Sequence, residues 1–567
     1  MLDDFIKAAS GKKPADLLLK GGRVVNVLSG EIIRTDVAVY KGRICGFGSY
    51  EAKETIDIED RYLLPGYIDG HIHIESSLLT VSEFANTVVP LGTTSIVADP
   101  HEIANVLGLA GIKYILATAK YQPLEVYLMM PSCVPATNLE TSGAVISAGD
   151  IFPYLSEKWV VGLGEMMNFT GVVNGQKDVL DKIKMVSSKK IDGHAPGLSG
   201  KALSAYISAG ISSDHESISY DEAAEKLRKG MHIMIREGTA TKNLNDLIGL
   251  VKPSNSSNFS FVSDDRSPED LISRGHINYI VKKAIKSGLD PVIAVKLASL
   301  NTARYFNLEG KGAIAPGYDA DLQVLKSFRS PRPIMVFKKG RLVAENGELK
   351  KRRVKPKDVH IRGSINVKWL VEDDFKVKAR GKKVKTIKIV PSQIVTEYKK
   401  YKTPASGGLL VSDTSRDMLK ICVVERHRAS GNIGIGMLRG MGLKSGAIAT
   451  SVAHDSHNIV VTGVNDSEIM AAVIQVIKMG GGLAVVKDGE VLESLDLPIA
   501  GLMSERPIEE VKDKLISLKN KAKELGAIPD DPFFTLSFLC LPVIPELKIT
   551  DKGLVDVNKF KIVGLFN

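Results

Sequence analysis

The sequence predicts an α/β fold: a TIM-type (β/α)8 barrel inserted in a small β-sandwich, followed by a C-terminal α/β or α+β domain. Three observations carry this reading. Eight short apolar runs recur between residues 63 and 308, spaced by roughly 20 to 35 residues, the length of a βα unit. Strand-like segments of similar texture flank that stretch on both sides. The 567 residues also exceed what a single hydrophobic core supports, so two or three domains are expected.

Residues 1–62 contain DLLLKGGRVVNV and DVAVYKGRICGFG, short β patterns separated by Gly-containing turns. The same texture returns in residues 309–350, at GYDADLQVLK and PIMVFKKGRLVAENGE, so both ends are expected to build one composite β-sandwich. The barrel strands in order are LLPGYID, TSIVAD, EVYLMMP, WVVGLGE, KKIDGH, GISSDH, HIMIRE and FSFVSD, alternating with helical patterns. After Arg353 a basic connection leads into residues 360–567. There LLVSD, ICVVERH, IVVTGV and LAVVKDG read as strands, and SEIMAAVIQVIKMGG and IEEVKDKLISLKNKAKELG as helices.

Composition narrows the functional classes. With 44% apolar and 25% charged residues the chain is of ordinary soluble type. It has no apolar run of about 18 residues for a membrane span, and its first residues, MLDDFIKAAS, lack the apolar core of a signal peptide. Cys45, Cys133, Cys422 and Cys540 form no paired motif and read as reduced residues, which fits a cytoplasmic setting. The net charge of +10 rests on interspersed Lys and Glu, and the densest basic stretches, 350–357 and 380–388, lie outside the barrel. No nucleic-acid or membrane partner is expected. A small-molecule substrate and a homo-oligomer, most simply a dimer, are.

Metal-ligating residues close the predicted strands. The first ends in Asp69-Gly70-His71-Ile72-His73, and residues i and i+2 of a strand share a face, so both imidazoles reach one ion. The fourth ends in Glu165, the fifth in His194, the sixth in His215 and the eighth in Asp264-Asp265. Each stands at a C-terminal strand end, where such barrels keep their active sites. The count suggests two divalent cations: His71, His73 and Asp264 on one, His194 and His215 on the other, and Glu165 bridging. Asp265 remains the alternative to Asp264. Two such ions about 3.5–4 Å apart share a hydroxide at neutral pH. His232 and His276 read as hydrogen-bonded core histidines.

PGYIDGHIHIESS, ADPHEIANVLG, GLGEMMNF, DGHAPG, SSDHES and FVSDDR resemble the motif series of microbial adenine deaminases. NTARYFNLEGKGAIAPGYDADL is similar to the barrel exit of many amidohydrolases, and ERHRASGNIGIGMLRGMGLKSGAIATSVAHDSHNIVVTG resembles the adenine deaminase C-terminal domain. The likeness covers nearly the whole chain. Many amidohydrolases carry a carboxylated lysine where this sequence has Glu165, as adenine deaminases do. The resemblance implies hydrolysis of adenine to hypoxanthine and ammonia with two divalent ions, Mn(II) or Fe(II), Zn(II) being a further option.

In that chemistry hydroxide attacks C6 of the purine. Asp264, a ligand with its second oxygen free, is the natural proton shuttle. His101, Asp99 and Glu102 are candidates for protonating a ring nitrogen or recognising substrate, with loop capping the alternative for Asp99. His454 and His457 either enclose the purine or stabilise a domain contact, and Arg426 and His427 are unassigned. Two other readings stand beside this one: a binuclear amidohydrolase acting on another nucleobase or cyclic amide, and a non-catalytic barrel that binds without turning over.

Overall fold

The computed structural model describes residues 2–566 apart from 187, 240, 352–360, 362 and 392. The start of the basic connection after Arg353, and most of the 350–357 stretch, therefore lie outside the described residues.

Eight parallel strands form the centre: β1 (Tyr67–Ile72), β2 (Thr93–Ala98), β3 (Glu125–Met130), β4 (Val160–Met166), β5 (Lys190–Gly193), β6 (Ser213–Asp214), β7 (His232–Arg236) and β8 (Phe259–Val262). β1 to β5 pair in sequence order, as do β6 to β8. Two hydrogen bonds close the ring. Ser212 N–H donates to the Ile191 carbonyl at 3.0 Å, and Asp264 N–H to the His71 carbonyl at 3.0 Å. The closed sheet is a TIM-like barrel. β1, β2 and β8 are buried along their whole length, the continuous apolar pattern of a parallel sheet covered on both faces. β6 is shorter than GISSDH suggested, because the hydroxyls and carboxylates of Ser213 and Asp214 already serve side-chain hydrogen bonds there.

Strands from both flanks of the barrel join one nine-stranded sheet. Tyr62–Pro65 pairs on one side with Ala15–Asn26 and on the other with Leu322–Leu325, so the chain leaves and re-enters this sheet around the barrel. A buried charge cluster ties it to the strand-start end of the barrel. Lys338 Nζ lies 3.0 Å from Glu125 and 2.7 Å from Asp321, and Lys311 Nζ lies 2.8 Å from Asp321 and against Glu125. Paired this way, the charges escape the penalty of burial alone.

The C-terminal region builds an eight-stranded sheet in which every neighbouring pair is antiparallel except Lys383–Ile389 with Ile433–Arg439. Helices Asp466–Lys478 and Ile508–Glu524 pack on it. Of LLVSD only Leu409–Leu410 is strand. The region docks on the loops that follow the barrel strands. Ser504 N–H donates to the Leu78 carbonyl at 2.8 Å, Thr550 Oγ1 to the Leu139 carbonyl at 2.7 Å, and Asn458 Nδ2 to the Thr141 carbonyl at 2.8 Å. It therefore covers the face on which the predicted ligands stand. All four cysteines are free and buried, and no described helix is long and apolar enough to cross a membrane.

Candidate active site

Glu165 is the hub. It stands next to last in β4, is 3% exposed, and turns each carboxylate oxygen to a different pair of imidazoles. Oε1 lies 3.3 Å from His73 Nε2 and 3.9 Å from His71 Nε2, while Oε2 lies 2.5 Å from His194 Nδ1 and 3.3 Å from His215 Nε2. Asp264 Oδ1 closes the first group, 3.2 Å from His73 Nε2 and 3.7 Å from His71 Nε2. The six residues expected from strand ends thus converge on one place.

The backbone aims them. His71 and His73 straddle the end of β1, and the His73 Nδ1–H donates to the Asp99 carbonyl at 2.9 Å. A carbonyl only accepts, so the His73 Nε2 lone pair points inward. Asp264 sits just past β8 at φ +54°, a left-handed conformation that Asp tolerates better than most side chains, and its N–H donates to the His71 carbonyl. Of the two adjacent acids it is Asp264 that faces His73, whereas Asp265 accepts the Ser76 hydroxyl at 2.5 Å.

The donor set fits divalent cations. His71 Nε2 and His73 Nε2 face each other at 3.2 Å, close enough to share one cation or one proton. Charge points the same way. Burial pushes Glu165 up, but His194, His215 and His73 outweigh it and hold the carboxyl well below its usual range. Burial likewise opposes charge on His194, yet Glu216 and Glu165 lift it to about 9. Burial, with His215 and His73 alongside, keeps His71 well below the usual range and therefore neutral. The cluster calls for positive charge, and without metal it holds protons.

This has a pH consequence. His73, His194 and His215 all have raised proton affinity, and a ligating nitrogen must give its proton up. Metal binding is expected to release protons, and apparent affinity to fall about tenfold per pH unit for each proton displaced as pH drops. Calorimetric titration of metal-free protein with Mn(II), in buffers of different ionisation enthalpy, measures the release; affinity unchanged between about pH 6 and about pH 9 would contradict the assignment.

The remaining predicted residues separate by role. Asp99 does not cap its own loop: its Oδ2 accepts the Glu165 N–H at 2.9 Å, across the barrel wall from β4. Gly164 permits that approach, since a Cβ there would lie 2.0 Å from Asp99 Oδ2. Gly164→Ala is expected to destabilise the protein by about 1–3 kcal/mol and to weaken metal retention. An unchanged denaturation midpoint with full metal content would show that the contact yields easily. His101 lies 3.5 Å from Glu165 Oε1, 3.6 Å from Asp99 Oδ1 and 3.8 Å from Glu102 Oε1. Burial and His73 press its pKa down, but Asp99 and Asp455 raise it to about 10. Burial also opposes charge on Glu102, yet His454 and His457 hold it well below the carboxylate range. Of the three candidates for ring protonation, His101 is thus the one that holds a proton, while Glu102 is held ionised.

One expectation is corrected outright. The outer oxygen of Asp264 is not free: Arg236 Nη1 donates to Oδ2 at 2.6 Å. Arg236 also engages Glu216, which stands 3.5 Å from His215 Nε2 and 3.8 Å from His194 Nδ1. Sequence reasoning missed both. Arg236 ends β7 in HIMIRE and obeys the strand-end rule that found the others, and Glu216 lies inside SSDHES. His232 and His276 are core residues as expected. The first stacks on Tyr305 and bonds Ser260 Oγ at 3.0 Å; the second is pinned between Thr93 and Asp69.

Eight parallel strands with imidazoles and carboxylates gathered at their C-terminal ends define an amidohydrolase-type barrel, and residues 62–343 match the amidohydrolase family. Residues 393–561 match the adenine deaminase C-terminal domain. Over 563 residues the chain is 49% identical to adenine deaminase 2 of Carboxydothermus hydrogenoformans, covering 99% of each protein. It is 50% identical over 570 residues to adenine deaminase of Desulfatibacillum aliphaticivorans, covering 100% of each. A crystal structure of an adenine deaminase aligns with a TM-score of 0.44 at 18% identity, covering 59% of this chain and 100% of that one. The chain belongs to the adenine deaminase family.

Proposed function

We propose that the protein hydrolyses adenine to hypoxanthine and ammonia at two divalent cations held by His71, His73, Glu165, His194, His215 and Asp264. The observation that carries this reading is the position of Glu165, with one oxygen toward His71 and His73 and the other toward His194 and His215. When bound, such a pair, Mn(II) or Fe(II) before Zn(II), lowers the pKa of a water so that it is nucleophilic near neutral pH.

The side chains do the rest. Asp264 receives the proton of the attacking water at Oδ1 as the new C–O bond forms at C6. Arg236 keeps Asp264 ionised beforehand and weakens its hold on the proton afterwards, which favours delivery to the leaving nitrogen. His101 donates to a ring nitrogen, taking up the charge that attack pushes into the purine. Asp99 fixes the backbone of Glu165, and Glu102 serves as a fixed acceptor beside His101. The C6–N bond then breaks, ammonia departs, and the C6 hydroxyl returns its proton to His101 as the carbonyl of hypoxanthine forms. In the same reading residues 63–308 form the catalytic domain, 1–62 with 309–350 a composite β-sandwich, and 360–567 a third domain, in a cytoplasmic homo-oligomer.

The test is ammonia release from a panel of nucleobases and cyclic amides by protein reconstituted with Mn(II), with metal content measured in parallel. Turnover of adenine at about two metals per chain is expected. Loaded protein that releases nothing from adenine would overturn the substrate, and protein unable to take up metal would overturn the site.

A further inference from the structure

Four residues singled out in the C-terminal region, Arg426, His427, His454 and His457, have no part in the chemistry above. They nevertheless reach the barrel. The AHDSHN turn, between strands Ala447–Thr450 and Ile459–Gly463, places two imidazoles against Glu102, in the first turn of helix His101–Leu107. His454 Nδ1 lies 2.8 Å from Glu102 Oε1, and His457 Nε2 lies 2.6 Å from Oε2. All three side chains are buried.

This trio is compact enough to hold a cation, but the proton on His457 argues against one. The Ala453 N–H donates to His457 Nδ1 at 3.2 Å, so Nδ1 carries the lone pair. Nε2 therefore carries the hydrogen and faces Glu102 Oε2 at 2.6 Å, with no lone pair for a metal. His454 matches it on the other oxygen. The arrangement is a carboxylate held between two imidazoles, one close to each oxygen.

The turn is itself braced by the other two residues. The guanidinium of Arg426, fully buried, donates to three carbonyls: that of His457, that of Ser364 at 2.9 Å and that of Ala500 at 2.9 Å. His427 Nε2 donates to the Ser456 carbonyl at 2.6 Å. A buried arginine spent entirely on backbone carbonyls fixes a loop and not a ligand. Beyond Glu102 the chain of contacts continues inward, since one imidazole, that of His101, separates Glu102 from Glu165. Around it His101 Nδ1, Asp99 Oδ1, Asp455 Oδ2 and His457 Nε2 are buried without hydrogen-bond partners among the described residues.

We infer that His454 and His457 are positioning residues of the active site: from the C-terminal region they fix the Glu102 carboxylate, and through it the place of His101 beside Glu165. The C-terminal region then completes the catalytic centre. The inference rests on the adenine-deaminating reading of that centre.

Side-chain amides test it atom by atom, because Asn places its N–H near the Nδ1 position of histidine and Gln near Nε2. In the full chain, His454→Asn and His457→Gln are expected to lose less than about tenfold in kcat. The mismatched His454→Gln and His457→Asn are expected to lose about 10- to 100-fold, with metal content and melting temperature shared by all four. Equal activity in matched and mismatched variants, or losses that follow melting temperature or metal content, would overturn the proposal. A second readout does not need turnover. In ¹⁵N-histidine-labelled protein, exchange-protected imidazole protons on His454 Nδ1 and His457 Nε2 are expected, and Glu102→Gln should shift both. Their absence would refute the clamp even in an active enzyme. Native protein inactive on adenine would instead fault the substrate while the resonances still decide the clamp.

Discussion

Glu165→Gln is expected to abolish turnover while leaving the fold intact. The substitution keeps size and shape, so the buried site is not overpacked, but it removes the charge that answers four imidazoles at once. An amide also presents one oxygen and one NH2. Whichever way it turns, a donor replaces an acceptor on one side of the hub, against either His71 and His73 or His194 and His215. Loss of a supporting partner around a metal typically costs about 10- to 100-fold, and removal of the bridging group should exceed that. The measurement is kcat with metal stoichiometry on protein purified with Mn(II), and circular dichroism as the fold control. Two metals per chain with turnover near the native value would remove Glu165 from the bridging position.

That Glu165 could be chosen from sequence has a physical basis. A strand in a parallel barrel is apolar along its buried length, so the first polar residue after the run marks its C-terminal end, where function gathers. The side chains able to bind metal at those ends are His71, His73, Glu165, His194, His215 and Asp264, and the structure brings all six together. The eight strands were legible for the same reason, and so were the two flanking segments, whose β texture matches on either side of the barrel. What escaped is tertiary. Nothing local to Arg236 says that it lands on Asp264, and nothing local to Glu102 announces two histidines far along the chain. The sixth strand was overextended because an apolar-to-polar run does not reveal that the Ser213 and Asp214 side chains accept the backbone N–H groups of Gly193 and Ala195 at the end of β5.

Asp264→Asn is expected to strike the chemical step. Its two oxygens have different work: Oδ1 faces the histidines of β1 and Oδ2 is held by Arg236. Asn can still turn an oxygen toward His73, so part of the metal affinity should survive. It cannot accept a proton from water, and its NH2 would point at the guanidinium, donor against donor. General acid–base catalysis contributes about 10²–10⁴-fold, and a group that acts mainly in the transition state lowers kcat and kcat/KM alike. Both should therefore fall by about that factor, with little change in KM. Asp265→Asn is the internal control. Asp265 accepts the Ser76 hydroxyl, and burial together with Asp264 already raises its pKa, so a neutral amide replaces it at little electrostatic cost. If Asp265→Asn proves the deficient variant and Asp264→Asn turns over normally, the roles of the pair are exchanged. If both turn over normally, neither acid moves the proton, and Glu216, the other carboxylate in contact with Arg236, becomes the group to replace.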